Sequence, residues 1–379
     1  MTAPFRMSVV GDISFEGPHA DQPNLDCFAD VGTIFHEADL VIGNLECTLT
    51  RSGNIIPGKC TLRGSPQWAP IMRRAGIGLV SLANNHVMDY GIGGLSSTLD
   101  ALSRAGIHAV GAGINRHEAC SPLFVDVGGR RIAFLARSSV IVSAPTYAGD
   151  DVPGVAFLDP AETISTIRSC RSQADLVILL IHWGLEEYSY PSPTQRQLAE
   201  RFVDAGANAI LGHHPHVLQG FESYKSAAIA YSLGNFVFDE FEWSFTSSGQ
   251  PASTQRSTLS PANRQGLVAT FEWNGVEAPT LEVTCTTIDR DGRVRVDADP
   301  ARHAEVDGLS AIMHRRWYER SWPFYAMYRE WRLRICDPLS FRRLATNLHR
   351  IRLRHVRDLV TSIRRSVRIV AEKTTNPYE

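Results

Sequence analysis

The chain has 379 residues, 44% of them apolar and 21% charged, with a formal net charge of −2. Such a length holds one α/β domain of roughly 250–300 residues plus an appendage, and the composition is that of an ordinary globular protein. No apolar run approaches bilayer-spanning length and the start, MTAPFRMSVVGDISF, lacks the apolar stretch of a secretory leader. A cytoplasmic protein is therefore expected.

In chain order, residues 6–11 predict a strand followed by the loop GDISFEGP, and DLVIGN predicts a second strand. Trp68 to Ala75 reads as a helix, Ile77 to Leu82 as a strand ending in ANNH, and Gly94 to Ala105 as a helix closed by Gly106. His108 to Val110 is a short strand before GAGIN, whose lone GxG, without a third glycine or a following acidic residue, argues against dinucleotide binding. SPLFVDVGGRRIAFLA predicts a hairpin turning at Gly128-Gly129. Asp159-Pro160 opens a helix to about Arg171, ahead of the apolar strand Leu176 to Ile181. Pro193 to Ala205 is a further helix, with Ser192 as its cap and Gly206 after it. Asn208 to Leu211 and Ala228 to Ser232 are strands, and the Ser/Thr/Gln-rich residues 244–265 are expected to form a mobile loop. Gly266 to Trp273 and Leu281 to Ile288 alternate as antiparallel strands do. Early βα units followed by hairpins suit a two-sheet α/β sandwich better than a simple Rossmann fold.

The character changes near residue 300. From Ala301 onward 17 Arg and Lys stand against 8 Asp and Glu, leaving an acidic excess in residues 1–300. Residues 301–379 read as a basic amphipathic helical segment, which Pro323 and Asp337-Pro338 divide into three helices. The favoured arrangement docks its Trp and Leu side chains on the main domain and turns the arginines outward. The competing one is an arm for a membrane surface or an acidic partner. No base-reading motif points to specific nucleic-acid binding. Seven scattered cysteines without CxxC spacing argue against a disulfide framework and a structural zinc site, and for buried free thiols.

Five of the strand-like segments end in a residue that binds divalent metals. These are Asp12 in VVGDIS, Glu46 in VIGNLE, Asn85 and His86 in SLANNHVMD, His182 in LLIHWGLEE, and His214 and His216 in LGHHPHV. A single histidine at a strand end is usually a satisfied polar residue; the HxH pair stiffened by Pro215 raises the weight of the metal reading. If the turn is not a regular strand, His214 and His216 can face two neighbouring cations, and the whole set suffices for two ions about 3.5–4 Å apart. The nitrogen and oxygen donors favour Mn or Zn, with Fe(II) also compatible, over a Cys-rich zinc site or Ca and Mg alone.

The ordered series GDIS, GNLE, SLANNHVMDYG, IHWGLEE, LGHHPHV and SLGNFVFD, spanning about residues 7–272, resembles the CapA family of capsule and poly-γ-glutamate synthesis proteins. That family is similar to the calcineurin-like metallophosphatases. The resemblance implies a four-layer αββα sandwich over residues 1–300, with one or two divalent ions. By motif, Asp12, Asn85, His182, His214 and His216 match metal ligands, and His86 matches the histidine that assists the leaving group. Two departures stand out: Ser14 occupies the place of a metallophosphatase histidine, and Asn44 that of the bridging aspartate. An amide bridges metals poorly, so the bridge is assigned to Glu46, and one metal position is left short of ligands. Asp89 is read as a carboxylate orienting His86. Glu186 accepts a proton, clasps an amine, or is a solvated loop residue. Asn235 and Asp239 either line the pocket or serve a structural turn, and Arg63 is a candidate for binding a substrate carboxylate or phosphate. The expected function is a metal-dependent hydrolase of a phosphoester or γ-glutamyl-type substrate, small or polymeric. The alternative is a non-catalytic accessory component of a polymer-synthesis complex.

Overall fold

The unbroken run Leu176–His182 is apolar because both faces of its strand are covered. Ile178 and Leu180 join one apolar cluster, and Val177, Leu179 and Ile181 another. The computed structural model, which describes residues 4–56, 59–140, 146–245, 253–274 and 279–332, places this strand in a six-stranded sheet. Its order is Phe221–Tyr224, Ala227–Ala230, Ala209–His213, Leu176–His182, Arg130–Ser138 and Leu123–Val127. The four inner strands run parallel and each edge is an antiparallel hairpin partner. The hairpin at Arg130 turns through Gly128 and Gly129, whose φ of 59° and 72° suit glycine.

An eight-stranded sheet faces it. Phe5–Ile13, Leu40–Leu45, Ile77–Ser81 and His108–Val110 are parallel neighbours. On the other side of Phe5–Ile13 lie the antiparallel strands Gln265–Trp273, Thr280–Ile288 and Val294–Val296. Asn235–Val237 adds a short parallel pairing at the end of the first strand, with Asp12 opposite Asn235. That approach needs Gly11, since a Cβ there would lie 2.1 Å from the Gly234 carbonyl oxygen.

Three apolar clusters separate four layers. Val9, Ile42 and Leu79 of the first sheet meet Phe134, Ile178 and Leu211 of the second. On the outside of the first sheet, Val10 and Val80 pack with Trp68 and Met72 of helix Trp68–Ala75 and with Leu95 and Leu102 of helix Gly91–Ala105. Outside the second, Val177 and Leu179 pack with Ile167 of Pro160–Arg171 and Phe202 of Pro193–Ala205. The chain is thus the αββα sandwich expected from the sequence. Ser192 and Gln195 complete a capping box with Pro193 in the first turn, and Gly106 closes its helix at φ 70°.

Two expectations are corrected. Within 244–265, Ser253–Ser257 is a strand paired antiparallel with Phe241–Phe245; residues 246–252 lie outside the described residues. Cross-strand pairing overrides the turn-like composition. Pro323 does not end a helix: it sits inside Tyr318–Trp331, where docking of Trp322 and Ala326 on the third cluster outweighs one lost backbone bond. The boundary placed at Asp337-Pro338 lies outside the described residues.

The helices Pro300–Met313 and Tyr318–Trp331 bind the second sheet's side of the sandwich. Arg196 Nη1 donates to the Met313 carbonyl, Ser310 Oγ accepts from Phe221 N–H, and Tyr318 donates to the Pro191 carbonyl. The side chains divide only in part as the sequence suggested: Arg315, Arg316, Arg320 and Arg332 face outward. Trp322 is buried, but Trp317, Phe324, Met327, Tyr328 and Trp331 are exposed, and Arg329 turns inward. No helix of the described residues is long and apolar enough to cross a membrane.

Candidate metal centre

Parallel strands deliver their last residues to one end of a sheet, and here two sheets point those ends at one another. Asp12 ends the first strand, Glu46 follows Leu40–Leu45, and Asn84, Asn85 and His86 follow Ile77–Ser81. From the facing sheet, His182 ends Leu176–His182, and His214 and His216 follow Ala209–His213. The two histidines sit on left-handed backbone, φ 99° and 58°. This costs energy for residues with a Cβ. It is held by the His214 N–H bond to Asp12 Oδ2 (3.2 Å) and by Asn263 Nδ2 donating to the His216 carbonyl (3.1 Å). The turn is therefore no regular strand, and the two rings meet edge to face, 5.8 Å apart.

The side chains converge. Asp12, Glu46 and His216 bring one ligand atom each within 4.8 Å of one another, as do Glu46, His182 and His214. Glu46 is common to both groups. His182 Nε2 lies 2.8 Å from Asn85 Oδ1 and 3.5 Å from Glu46 Oε1, and His216 Nε2 lies 3.6 Å from the same Glu46 oxygen. Every one of these groups is buried except His216, which is part-exposed. Both Glu46 oxygens and His214 Nδ1 are buried without a hydrogen-bond partner. Orphaned buried polar atoms are costly, and a divalent cation among them would satisfy all three, so the residues fit the metal.

The electrostatics agree. Burial, reinforced by the charge of Asp12, holds the Glu46 carboxyl well above its ordinary range. Burial opposes charge on His216, yet Glu46 and Asp12 overcome it and raise the imidazole well above its usual value. Asp12 is lowered: burial works against ionisation, but His216, His213 and the Asn44 amide outweigh it. Burial and the neighbouring rings push His182 well down, and burial takes His214 to about 4. Neutral imidazoles are the ligating form. Among the described residues no cysteine joins these ligand groups: Cys47 is buried in the apolar cluster of the first sheet with its thiol pushed up, and burial moves Cys60 to about 12.

Beside this cluster lies a cavity of about 250 Å³. It is lined by His86, His216, Asn235 and Glu186, and one wall is the hairpin that carries Phe241, Trp243 and Ser257. His86 Nδ1 lies 2.7 Å from Asp89 Oδ2, which leaves the cavity-lining ring its Nε2. Asn235 Oδ1 is 2.9 Å from His216 Nδ1. Two sequence-derived candidates are not brought here. Arg63 pairs with Asp21 (2.7 Å) in a separate cleft, and Asp239 faces His19 (3.6 Å).

Other residues were not singled out from the sequence. Lys59 is buried, forms an ion pair with Asp89 and donates to the Asn85 carbonyl. Asn84 Oδ1 accepts from the His86 and Val87 N–H groups (both 3.0 Å), shaping the turn that presents Asn85 and His86. His213 is fixed by the Val10 carbonyl (3.1 Å), and Asn263 ties the His216 carbonyl to Glu187 (2.6 Å). The doubled Asn in ANNH and doubled His in GHHPH were the available signals for Asn84 and His213. Lys59 sits in the aperiodic IPGKC and gave none.

The family model described as "Bacterial capsule synthesis protein PGA_cap" matches residues 6–240, more than half of the chain. The capsule biosynthesis protein CapA of Bacillus anthracis is 36% identical over 247 residues, 62% of this chain and 60% of that protein. A "Probable polyglutamine synthesis accessory protein" of Mycobacterium tuberculosis is 32% identical over 215 residues, 54% of this chain and 56% of that one. The alignments thus span roughly three fifths of these curated relatives. Among solved structures, the NAD nucleotidase of Haemophilus influenzae aligns over 81% of this chain and 56% of its own at 13% identity, with a TM-score of 0.42.

Proposed function

The chain belongs to the bacterial capsule synthesis protein family matched by its residues 6–240, and from that premise we propose that it is a metal-dependent hydrolase. Its substrate would be a phosphoester or a γ-glutamyl-type amide connected with capsule or polyglutamate synthesis. The observation that carries this reading is Glu46, a buried carboxylate shared by two ligand groups with neither oxygen hydrogen-bonded.

Asp12, Glu46 and His216 would hold one cation, and Glu46, Asn85, His182 and His214 another, with Mn or Zn preferred by the donor set. Bound there, such cations supply Lewis acidity, lowering the pKa of water and offsetting charge that develops on the attacked group. The protein's own part is positional. Asp89 accepts the Nδ1 proton of His86 and counters the burial that disfavours a charged ring; as an imidazolium, His86 would carry its second proton on Nε2, the atom free to face the cavity and protonate a leaving group. Asn44 donates to Asp12 Oδ1 (2.8 Å) and holds that carboxylate in place. Phe241 and Trp243 give one wall of the cavity an aromatic lining.

The relative named as an accessory protein favours a second reading, a binding component without turnover. One experiment separates them. The Mn- or Zn-loaded protein is assayed against chromogenic phosphomonoesters, phosphodiesters and γ-glutamyl anilides, with His86→Ala alongside. Hydrolysis by the wild type, abolished in His86→Ala at unchanged metal content, supports the hydrolase. A metal-loaded wild type that turns over none of these overturns it in favour of the accessory role.

A further inference from the structure

The second cation position is short of donors. Asp12, Glu46 and His216 supply three. Ser14, just past the first strand, has its hydroxyl engaged by the Glu16 N–H (3.3 Å). Asn44 turns its nitrogen, not its oxygen, toward Asp12 Oδ1 (2.8 Å) and His182 Nδ1 (3.3 Å), and its Oδ1 accepts from Asn84 (3.3 Å). Neither residue brings an anionic oxygen to the site.

Glu186 does. One of its carboxylate oxygens lies within 4.8 Å of ligand nitrogens of both His214 and His216. It reaches them from the cavity side, on the loop that follows Leu176–His182, and lines the cavity with His86 and His216. Its neighbour Glu187 is fixed on left-handed backbone at φ 65°. The Glu187 N–H bonds to the Pro215 carbonyl (2.9 Å), its carboxylate accepts from Asn263 (2.6 Å), and its carbonyl accepts from Arg329. Glu186 is thus an exposed carboxylate on an anchored backbone, aimed at the two histidines.

We propose that Glu186 is a metal ligand, adding a carboxylate from the cavity side beside His214 and His216. The inference rests on the metal-centre reading above and extends its ligand set to a residue outside the strand ends. Because Glu46, His182 and His214 are buried whereas His216 is part-exposed and Glu186 solvent-exposed, the two positions differ: one is enclosed and tight, the other open and exchangeable. A carboxylate that closes a position against solvent can also swing aside for a substrate oxygen, which assigns the open site to substrate entry.

The test needs no turnover. Full-length protein stripped with chelator is titrated with Mn²⁺ by calorimetry, and EPR spectra are recorded at one and two equivalents. Two sites of unequal affinity are expected, with a spin-coupled Mn pair at two equivalents. Glu186→Gln should leave the tight site unchanged and weaken the other by at least ~10-fold, with loss of the coupled spectrum. Glu186→Asp should recover part of both. A thermal melt with one equivalent of Mn²⁺ checks that the variants are folded. If Glu186→Gln takes up the second ion as the wild type does, or if the wild type binds a single ion that Glu186→Gln binds equally, the assignment is wrong. If the wild type binds no Mn²⁺, the metal-centre reading itself has failed.

Discussion

Trp322→Ala probes how the C-terminal helix supports the site. Trp322 is 4% exposed and packs among Tyr188, Tyr318 and Ala326. A buried Trp hides about 150–250 Å², worth ~4–6 kcal/mol at about 25 cal/mol per Å², which is an upper bound. Trp-to-Ala substitutions in cores cost about 3–5 kcal/mol. The Trp322 indole N–H has no hydrogen-bond partner, so no bond is lost with it. The helix can undock before the sandwich unfolds, so the loss should appear first locally. Hydrogen exchange followed by mass spectrometry should show faster exchange in 318–331 and in the loop 185–192, which is tied to that helix by Tyr188, Ser189 and Glu187. Phe324→Ala, at a position 69% exposed on the opposite face, should change stability by no more than about 0.5 kcal/mol. Unchanged protection of 185–192 in Trp322→Ala, or an equal effect from Phe324→Ala, would refute the reasoning.

Three further outcomes are expected. Lys59→Met leaves the buried Asp89 carboxylate without its ammonium partner; it should cost about 3–5 kcal/mol, read from denaturant unfolding. Since Glu46 and His216 hold their protons to a higher pH than usual, a metal must displace one or two protons to bind. Its affinity should fall by about 10- to 100-fold for each pH unit lost below those raised values, with proton release seen by calorimetry in buffers of different ionisation enthalpy; pH-independent binding would contradict the assigned states. If the exposed Trp317, Phe324 and Trp331 face meets anionic lipid, the chain should sediment with phosphatidylglycerol vesicles at low salt and be released at high salt, and absence of sedimentation would exclude that partner.

Much of the sandwich was legible because its strands are covered on both faces, so Leu176–His182 and Leu40–Leu45 read as short apolar runs. Helix ends were legible through local chemistry, as in the Ser192–Pro193–Gln195 box and Gly106. The positions of Asp12, Glu46, Asn85, His182, His214 and His216 followed from the strand ends they occupy. What escaped depends on contacts between distant segments. In the cavity wall, Ser253–Ser257 has the polar composition of a loop, and its pairing with Phe241–Phe245 makes it a strand. Lys59 meets Asp89 only through the folded chain. Which atom of Asn44 faces the ligands, and that Arg63 is held by Asp21, are matters of side-chain orientation that no spacing encodes.

Arg329 and Tyr325 brace the loop that carries Glu186, yet they lie some 140 positions further along the chain. On a ribosome, which releases a chain from its N-terminus onward, every strand bearing a candidate ligand emerges well before that brace exists. A nascent chain ending near residue 300 would have its ligands assembled and the rim of its cleft unsupported. The cleft therefore matures late, and a message cut short after the sandwich would yield a protein with the ligands in place and the rim beside them loose.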